Sequence, residues 1–245
     1  MKQNPYFLPA LSAGLGLSGL ILRILLTLVG RDEKGLLVPA HPAALLLWAL
    51  TAAVVIVLLL QVLRTKNAKR YSDCFCDCPI AAIGCFAMAA GILLTAVLSH
   101  SEELRLGLPR TVSALLAVPA LIWAGLCRRK GLRPNFLVYA AVWLFLTLHT
   151  IGRYQSWSSQ PQILNFFFPM MGCLLMMLFA YCHAAFLVRL GNRRLLMAAG
   201  LLGGFFCLTA IAGLKDIALY ACGAVWLLTN LCRPISQETP ANQPQ

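Results

Sequence analysis

Charge is what this chain has least of. Among 245 residues only eight are acidic and twenty basic, so charged side chains make up 11% of the total, against about 25% in a soluble domain. That shortage, beside a hydrophobic share of 60%, excludes an ordinary soluble protein with a large core. Long polar segments are missing too. No connector exceeds about fifteen residues, which leaves no room for a soluble catalytic, nucleotide-binding or kinase module. No HExxH pattern is present, and no aromatic–basic platform or helix–turn–helix pattern accompanies the net charge of +12, so the basic residues do not describe a nucleic-acid binder.

What remains is apolar and clustered. Leu45–Leu63, Ile80–Leu98, Val112–Cys127 and Ile163–Val188 are nearly free of charge, and Lys and Arg fall between such runs. This is the pattern of an integral membrane protein. We expect an all-α polytopic transmembrane helix bundle of about eight spans, over 6–29, 42–63, 79–99, 111–127, 136–152, 163–188, 195–213 and 217–232. The last two are separated by length: a single helix over 195–232 would extend roughly 57 Å, far beyond a hydrocarbon core of roughly 30 Å. Gly213-Leu214-Lys215-Asp216 is the polar break available for the turn. Residues 1–235 then form the bundle, and the polar, Pro-containing segment Ser236–Gln245 is expected to be a disordered tail.

Orientation follows from the connectors. With the N-terminus in the cytosol, thirteen basic residues and three acids lie inside, a net +10, while six basic residues and five acids lie outside, a net +1. Every second connector is basic, which places both termini in the cytoplasm of a cell-membrane protein. The N-terminus carries one Lys and no small-x-small site before its charges, so it does not read as a cleavable signal. Of ten cysteines, five lie in apolar runs and five beside the basic connectors, facing a reducing cytosol. No structural disulfide is expected.

One charge breaks the pattern. Ser12, Gly16, Gly19, Arg23 and Thr27 recur at steps of three and four and so share one face of the first helix. Small residues there let a neighbouring helix approach, and Arg23 points into the bundle. The acids all fall in connectors, with Asp32, Glu33, Glu102, Glu103 and Asp216 on the outer side. Arg23 is therefore expected to meet one of these or the carbonyls of a helix end. An apolar interior without a carboxylate also argues against a carboxylate-based proton or sodium carrier, and leaves His149 and His183 as the titratable groups within the spans. For His183, in "AYCHAAF", a hydrogen bond to a carbonyl or a neighbouring helix is expected.

Further polar residues sit at outer helix ends. His41, His100 and His149 lie at the depth of Asp32, Glu33, Glu102 and Glu103. Imidazole with carboxylate could activate water at a Zn²⁺ ion, although no ligand spacing accompanies the set. Together with Arg23 these form the candidate outer polar cluster, for substrate binding or for structure. In "DCFCDCP", Cys74, Cys76 and Cys78 alternate and would share one side of an extended segment, a thiolate set suited to Cu(I) or Zn²⁺ but more simply read as reduced, incidental thiols. Met170, Cys173 and Met177 share a face at packing distance. Gly200-x-x-x-Gly204 is a close-contact face, and Pro119 and Pro169 fall inside spans. No cofactor is expected.

At "GRDEKGLLVPAHPAALLLW", "LGNRR" and "WLLTNLC" the chain resembles a group of bacterial multi-pass membrane proteins with no assigned activity. The resemblance implies the membrane class and transfers no catalytic residue. It marks Gly30–Leu37 and His41–Pro42 as the outer segment of first interest. The leading functional expectation is a non-catalytic membrane component, either a small-solute permease or a subunit of a larger system. The alternatives are an enzyme acting on a lipid or other membrane substrate at the outer face, and a small sensor whose basic inner connectors engage a soluble protein. The expected partners are the lipid bilayer and either another membrane protein or further copies of this chain, with no nucleic acid.

Overall fold

A computed structural model describes residues 6–30, 41–65, 68, 71–75, 78–98, 107–157, 163–213 and 216–232. Of these, 89% are helical and none lies in a strand, so the chain is all-α. The helices are α1 (Phe7–Val29), α2 (Pro42–Leu63), a single turn α3 (Tyr71–Cys74), α4 (Pro79–Leu98), α5 (Gly107–Lys130), α6 (Phe136–Trp157), α7 (Ile163–Leu187), α8 (Arg193–Ala210) and α9 (Ile217–Leu231). Seven are long and apolar enough to cross a membrane, and α9, with 15 residues, is shorter. The outward faces are apolar as well: Ile21, Leu28, Val97, Leu98, Leu115 and Leu190 are all well exposed. Water would not tolerate so continuous an apolar surface, whereas lipid does.

Local chemistry sets the helix ends. Pro42 opens α2, and His41 before it accepts the Ala43 N–H on its Nδ1 at 3.2 Å. Asn192 caps α8, its Oδ1 accepting from Arg194 N–H at 3.1 Å and Leu195 N–H at 3.4 Å. At the end of α5, Gly131 takes a φ of 66°, and Leu132 N–H reaches back to the Cys127 carbonyl at 2.9 Å. That left-handed turn suits glycine, and Pro134 soon after prevents the helix from resuming. Helices α5 and α7 continue through Pro119 and Pro169.

The spans differ from expectation mainly where a charge was taken as a boundary. Helix α5 starts at Gly107 and runs to Lys130, so Arg110 and Arg128 are helical and buried; α6 runs past residue 152 and carries Arg153, also buried. These arginines belong to the bundle, not to connectors. The turn α3 was not anticipated. Asp32, Glu33, His100, Glu102, Glu103, Cys76 and the segment 233–245 lie outside the described residues.

Helix neighbours follow chain order from α4 to α9, and α9 returns to pack along α4, closing a ring of six; α1 and α2 lean on α8 from outside. Small residues bring the axes together. A side chain added at Gly91 would meet the Ala218 carbonyl oxygen at 2.9 Å and Cys222 Cβ at 2.6 Å, which fixes α4 against α9. Gly200 and Gly204 face Leu231 and Leu228 of α9, as a small-xxx-small face should. On α1, Ser12, Gly16, Gly19 and Arg23 are all buried; Gly16 and Gly19 lie against Leu208, Thr209 and Phe205 of α8, and Ser12 Oγ donates to the Leu201 carbonyl at 2.6 Å.

Candidate functional site: two polar clusters inside the ring

The interior faces of α6, α7 and α9 carry polar groups at two levels. On α6, Tyr139, Val142, Leu146, His149 and Arg153 are buried at alternating steps of three and four, hence on one face. Tyr139 and His149 are ten residues apart, which separates the two levels by roughly 15 Å along the helix.

At one level Arg153 and Asp216 form a buried ion pair. Arg153 Nε donates to Asp216 Oδ2 at 2.6 Å and Nη2 donates to Oδ1 at 2.7 Å, with both side chains about 95% buried. This is the bidentate guanidinium–carboxylate fork. Asp216 precedes α9 with a φ of 54°, a left-handed conformation that Asp tolerates better than most residues. His149, one turn before Arg153 on α6, places Nε2 3.5 Å from Asp216 Oδ2 and stacks on Phe145 at 5.9 Å. At that distance the contact is electrostatic rather than a well-formed hydrogen bond. Burial alone would push the Asp216 carboxyl up, but the two hydrogen bonds and the charge of Arg153, with the nearby His149 ring, outweigh it and hold the carboxyl well below the usual range. The sequence placed every acid in a connector. Asp216 does stand in the connector before α9, but its side chain is turned inward and buried against Arg153.

Arg23 approaches the same level from α1. Its Nη1 donates to the Thr209 carbonyl near the end of α8 at 3.0 Å, and its guanidinium lies 5.2 Å from the centre of the Phe168 ring. Of the two kinds of partner the sequence allowed, the helix-end carbonyl is one it meets. Tyr220 of α9 is a near neighbour of Arg23 and contacts Cys173 Sγ at 3.5 Å. Cys173 and Met177 are engaged in packing, with the Thr150 hydroxyl 4.0 Å from Met177 Sδ.

At the opposite level the hub is Arg128 of α5. Its guanidinium lies 4.7 Å from the centre of the Phe75 ring, and Tyr71, Tyr139, Cys85 and His183 are within its electrostatic reach. His183 of α7 is fully buried in a box of rings: Phe75 and Tyr139 at 4.8 Å, Phe179 at 4.5 Å and Trp226 at 6.3 Å. Its Nδ1 is 3.1 Å from the Phe179 carbonyl. A carbonyl only accepts, so Nδ1 carries the hydrogen, and in the neutral ring Nε2 is an acceptor. Asn230 Nδ2 donates to the Trp226 carbonyl at 2.9 Å and approaches Cys85 Sγ at 3.9 Å.

Five buried polar atoms of this cluster make no well-formed hydrogen bond among the described residues: Tyr71 Oη, Tyr139 Oη, His183 Nε2, Trp226 Nε1 and Asn230 Oδ1; Tyr71 has only a looser approach to Arg128, and Trp226 one to the Cys85 thiol. Each such group costs about 1–3 kcal/mol, and native proteins hold few of them. His183 was expected to bond a carbonyl, as it does. The rest of this cluster was not anticipated. Arg128 read as a cytosolic charge, and Tyr139, Trp226 and Asn230 as members of apolar runs; Asn230 was the one legible signal, a lone amide inside a span.

The other expected site residues are placed differently. His41 is occupied by its capping role at the start of α2. Cys74 ends the helical turn α3, and Cys78 stands just before α4 with its Sγ donating to the Cys232 carbonyl at 3.4 Å. Cys74 thus belongs to a helical turn, not to the extended segment expected to align the three thiols. Among the described residues no group of three or more His, Cys, Asp or Glu side chains could hold a metal ion. Comparison with protein-family models, curated proteins and solved structures finds no match.

Proposed function

We propose that this is a multi-pass protein of the cell membrane, both termini in the cytosol, that passes a small solute through the ring of α4 to α9. One observation carries the reading. The interior faces of α6, α7 and α9 present polar groups at two levels, Asp216–Arg153–His149 and Arg128–His183–Tyr139, with Val142, Phe145, Leu146 and Met176 buried between them. Polar groups near both mouths and an apolar layer between them are what a gated path for a small solute requires. The alternative of an enzyme using an outer carboxylate as general base is less well supported, because the Asp216 carboxylate is held at both oxygens by Arg153.

Osmotic swelling of vesicles containing the purified chain tests the proposal, with urea, glycerol, acetamide and propionamide as solutes. Faster equilibration than in protein-free vesicles for at least one solute is the expected result. Permeability equal to empty vesicles for every solute would leave the second reading, a membrane subunit, to be pursued through whatever protein co-purifies with it.

A further inference from the structure

We infer that the Arg128 end of the ring is a binding site for a small organic solute carrying a carboxamide or an undissociated carboxylic acid. The assignment deepens the transport reading and rests on it for the solute's route in. It is carried by the types of the unpartnered atoms. Trp226 Nε1–H can only donate, and His183 Nε2, with Nδ1–H committed to the Phe179 carbonyl, can only accept; Asn230 Oδ1 is a second acceptor. A bare cation would satisfy the acceptors and leave the indole donor with no more than the weakly accepting Cys85 thiol. An inorganic anion would do the reverse. A planar group with a carbonyl oxygen and an adjacent N–H or O–H serves both sides at once.

The side chains that carry these atoms converge on one end of the ring. Trp226 and Asn230 both approach Cys85 Sγ, the hydroxyl of Tyr139 lies near the same thiol and near Tyr71, and the imidazole sits between the rings of Tyr139 and Trp226. All five unpartnered side chains are more than nine-tenths buried. Phe75, packed over His183 at 4.8 Å, supplies an apolar wall suited to an organic molecule rather than to water alone.

The full chain, purified in detergent, is titrated with propionamide and separately with propionic acid over a falling pH series, binding being followed by saturation-transfer NMR. Saturable binding of at least one probe is expected; binding of propionamide at every pH identifies the amide, and binding of the acid that strengthens as pH falls identifies the undissociated carboxyl. Tyr139→Phe, which removes only a hydroxyl, and Trp226→Phe should each weaken binding about tenfold, the effect of one hydrogen bond. Without a probe, Tyr139→Phe should melt at or above the wild-type temperature, because it deletes an unpartnered group. Absence of saturable binding for both probes overturns the assignment, as does unchanged affinity in both variants. A clear fall in melting temperature for unliganded Tyr139→Phe also overturns it, since ordered water would then already satisfy the hydroxyl. Uptake of propionamide into vesicles is read separately. Binding without uptake keeps the site and removes the transport reading; uptake that neither variant alters keeps transport and removes the site.

Discussion

Arg153 and Asp216, 63 positions apart in sequence, meet through two parallel hydrogen bonds of 2.6 and 2.7 Å inside the helical ring. The pair joins α6 to the start of α9, the short helix that closes the ring against α4. Removing one partner strands a charge in a dry environment, which in comparable buried pairs costs about 3–5 kcal/mol. Arg153→Leu and Asp216→Asn should each lower the melting temperature of the purified protein strongly. The double variant should recover a large part of the loss, because neither charge is then left alone. Additive losses would mean that the two side chains act independently.

The same pair predicts a pH dependence of definite sign. The folded Asp216 carboxyl titrates below its ordinary value of 3.8. A depressed carboxylate contributes stability that is complete above the ordinary value and declines as pH falls below it toward the folded value. Wild-type protein should therefore lose stability relative to Asp216→Asn as the medium is taken from pH 5 toward pH 3, and the difference should be flat above pH 5. Parallel melting curves across the whole range would show that the carboxyl is not held by its neighbours.

Arg23 lies against the Phe168 ring and donates to the Thr209 carbonyl, two contacts that use the planar guanidinium. A lysine keeps the charge but not the fork or the stacking surface. Arg23→Lys should therefore lose stability, about 1–3 kcal/mol by denaturant unfolding, rather than behave as wild type. Arg23→Leu separates structure from function: if expression, stability and solute permeability all stay unchanged, the buried charge has no role in transport.

Two glycines give opposite expectations. At Gly91 an added Cβ would meet the Ala218 backbone oxygen at 2.9 Å, an atom that cannot move without shifting α9. Gly91→Ala should thus destabilise the bundle despite its better helix propensity. Gly14 has nothing within 4 Å of such a Cβ, so Gly14→Ala should be neutral or stabilise by up to about 1 kcal/mol. Melting temperatures of the two variants against wild type decide the matter.

The spans were legible because apolar runs of bilayer length are bounded by charge, and α2, α4 and α7 begin and end within a residue of the expected positions. The errors share one cause. Arg110, Arg128 and Arg153 were each read as marking water, whereas inside a bundle a charge can be satisfied by a partner that the local sequence does not reveal. Asp216 had been recognised as an acid near the outer ends of the helices. That it neutralises Arg153 depends on α9 starting beside α6, a tertiary relationship that local sequence does not show. The Arg128 cluster was still less accessible, since Tyr139, His183 and Trp226 come from three helices, and of these only His183 had drawn notice, as a histidine bonded to a carbonyl. Helix periodicity shows which residues face inward, but not which of them meet.

Orientation is the remaining prediction, and it rests on charge alone. With Arg110, Arg128 and Arg153 assigned to the bundle, the segments assigned to the cytosol still hold twelve basic residues against four on the other side, and translocating Lys and Arg opposes the membrane potential. Labelling with a membrane-impermeant thiol reagent in intact cells separates the two orientations, with the signal from the native cysteines subtracted. Asp32→Cys should react from outside, and Arg129→Cys should react only after the membrane is permeabilised. The reversed pattern would put the Asp216 end of the ring in the cytosol and the Arg128 end outside. Under the proposed transport reading, a solute entering from the medium would then meet the aromatic box around His183 before the ion pair, the reverse of the order proposed.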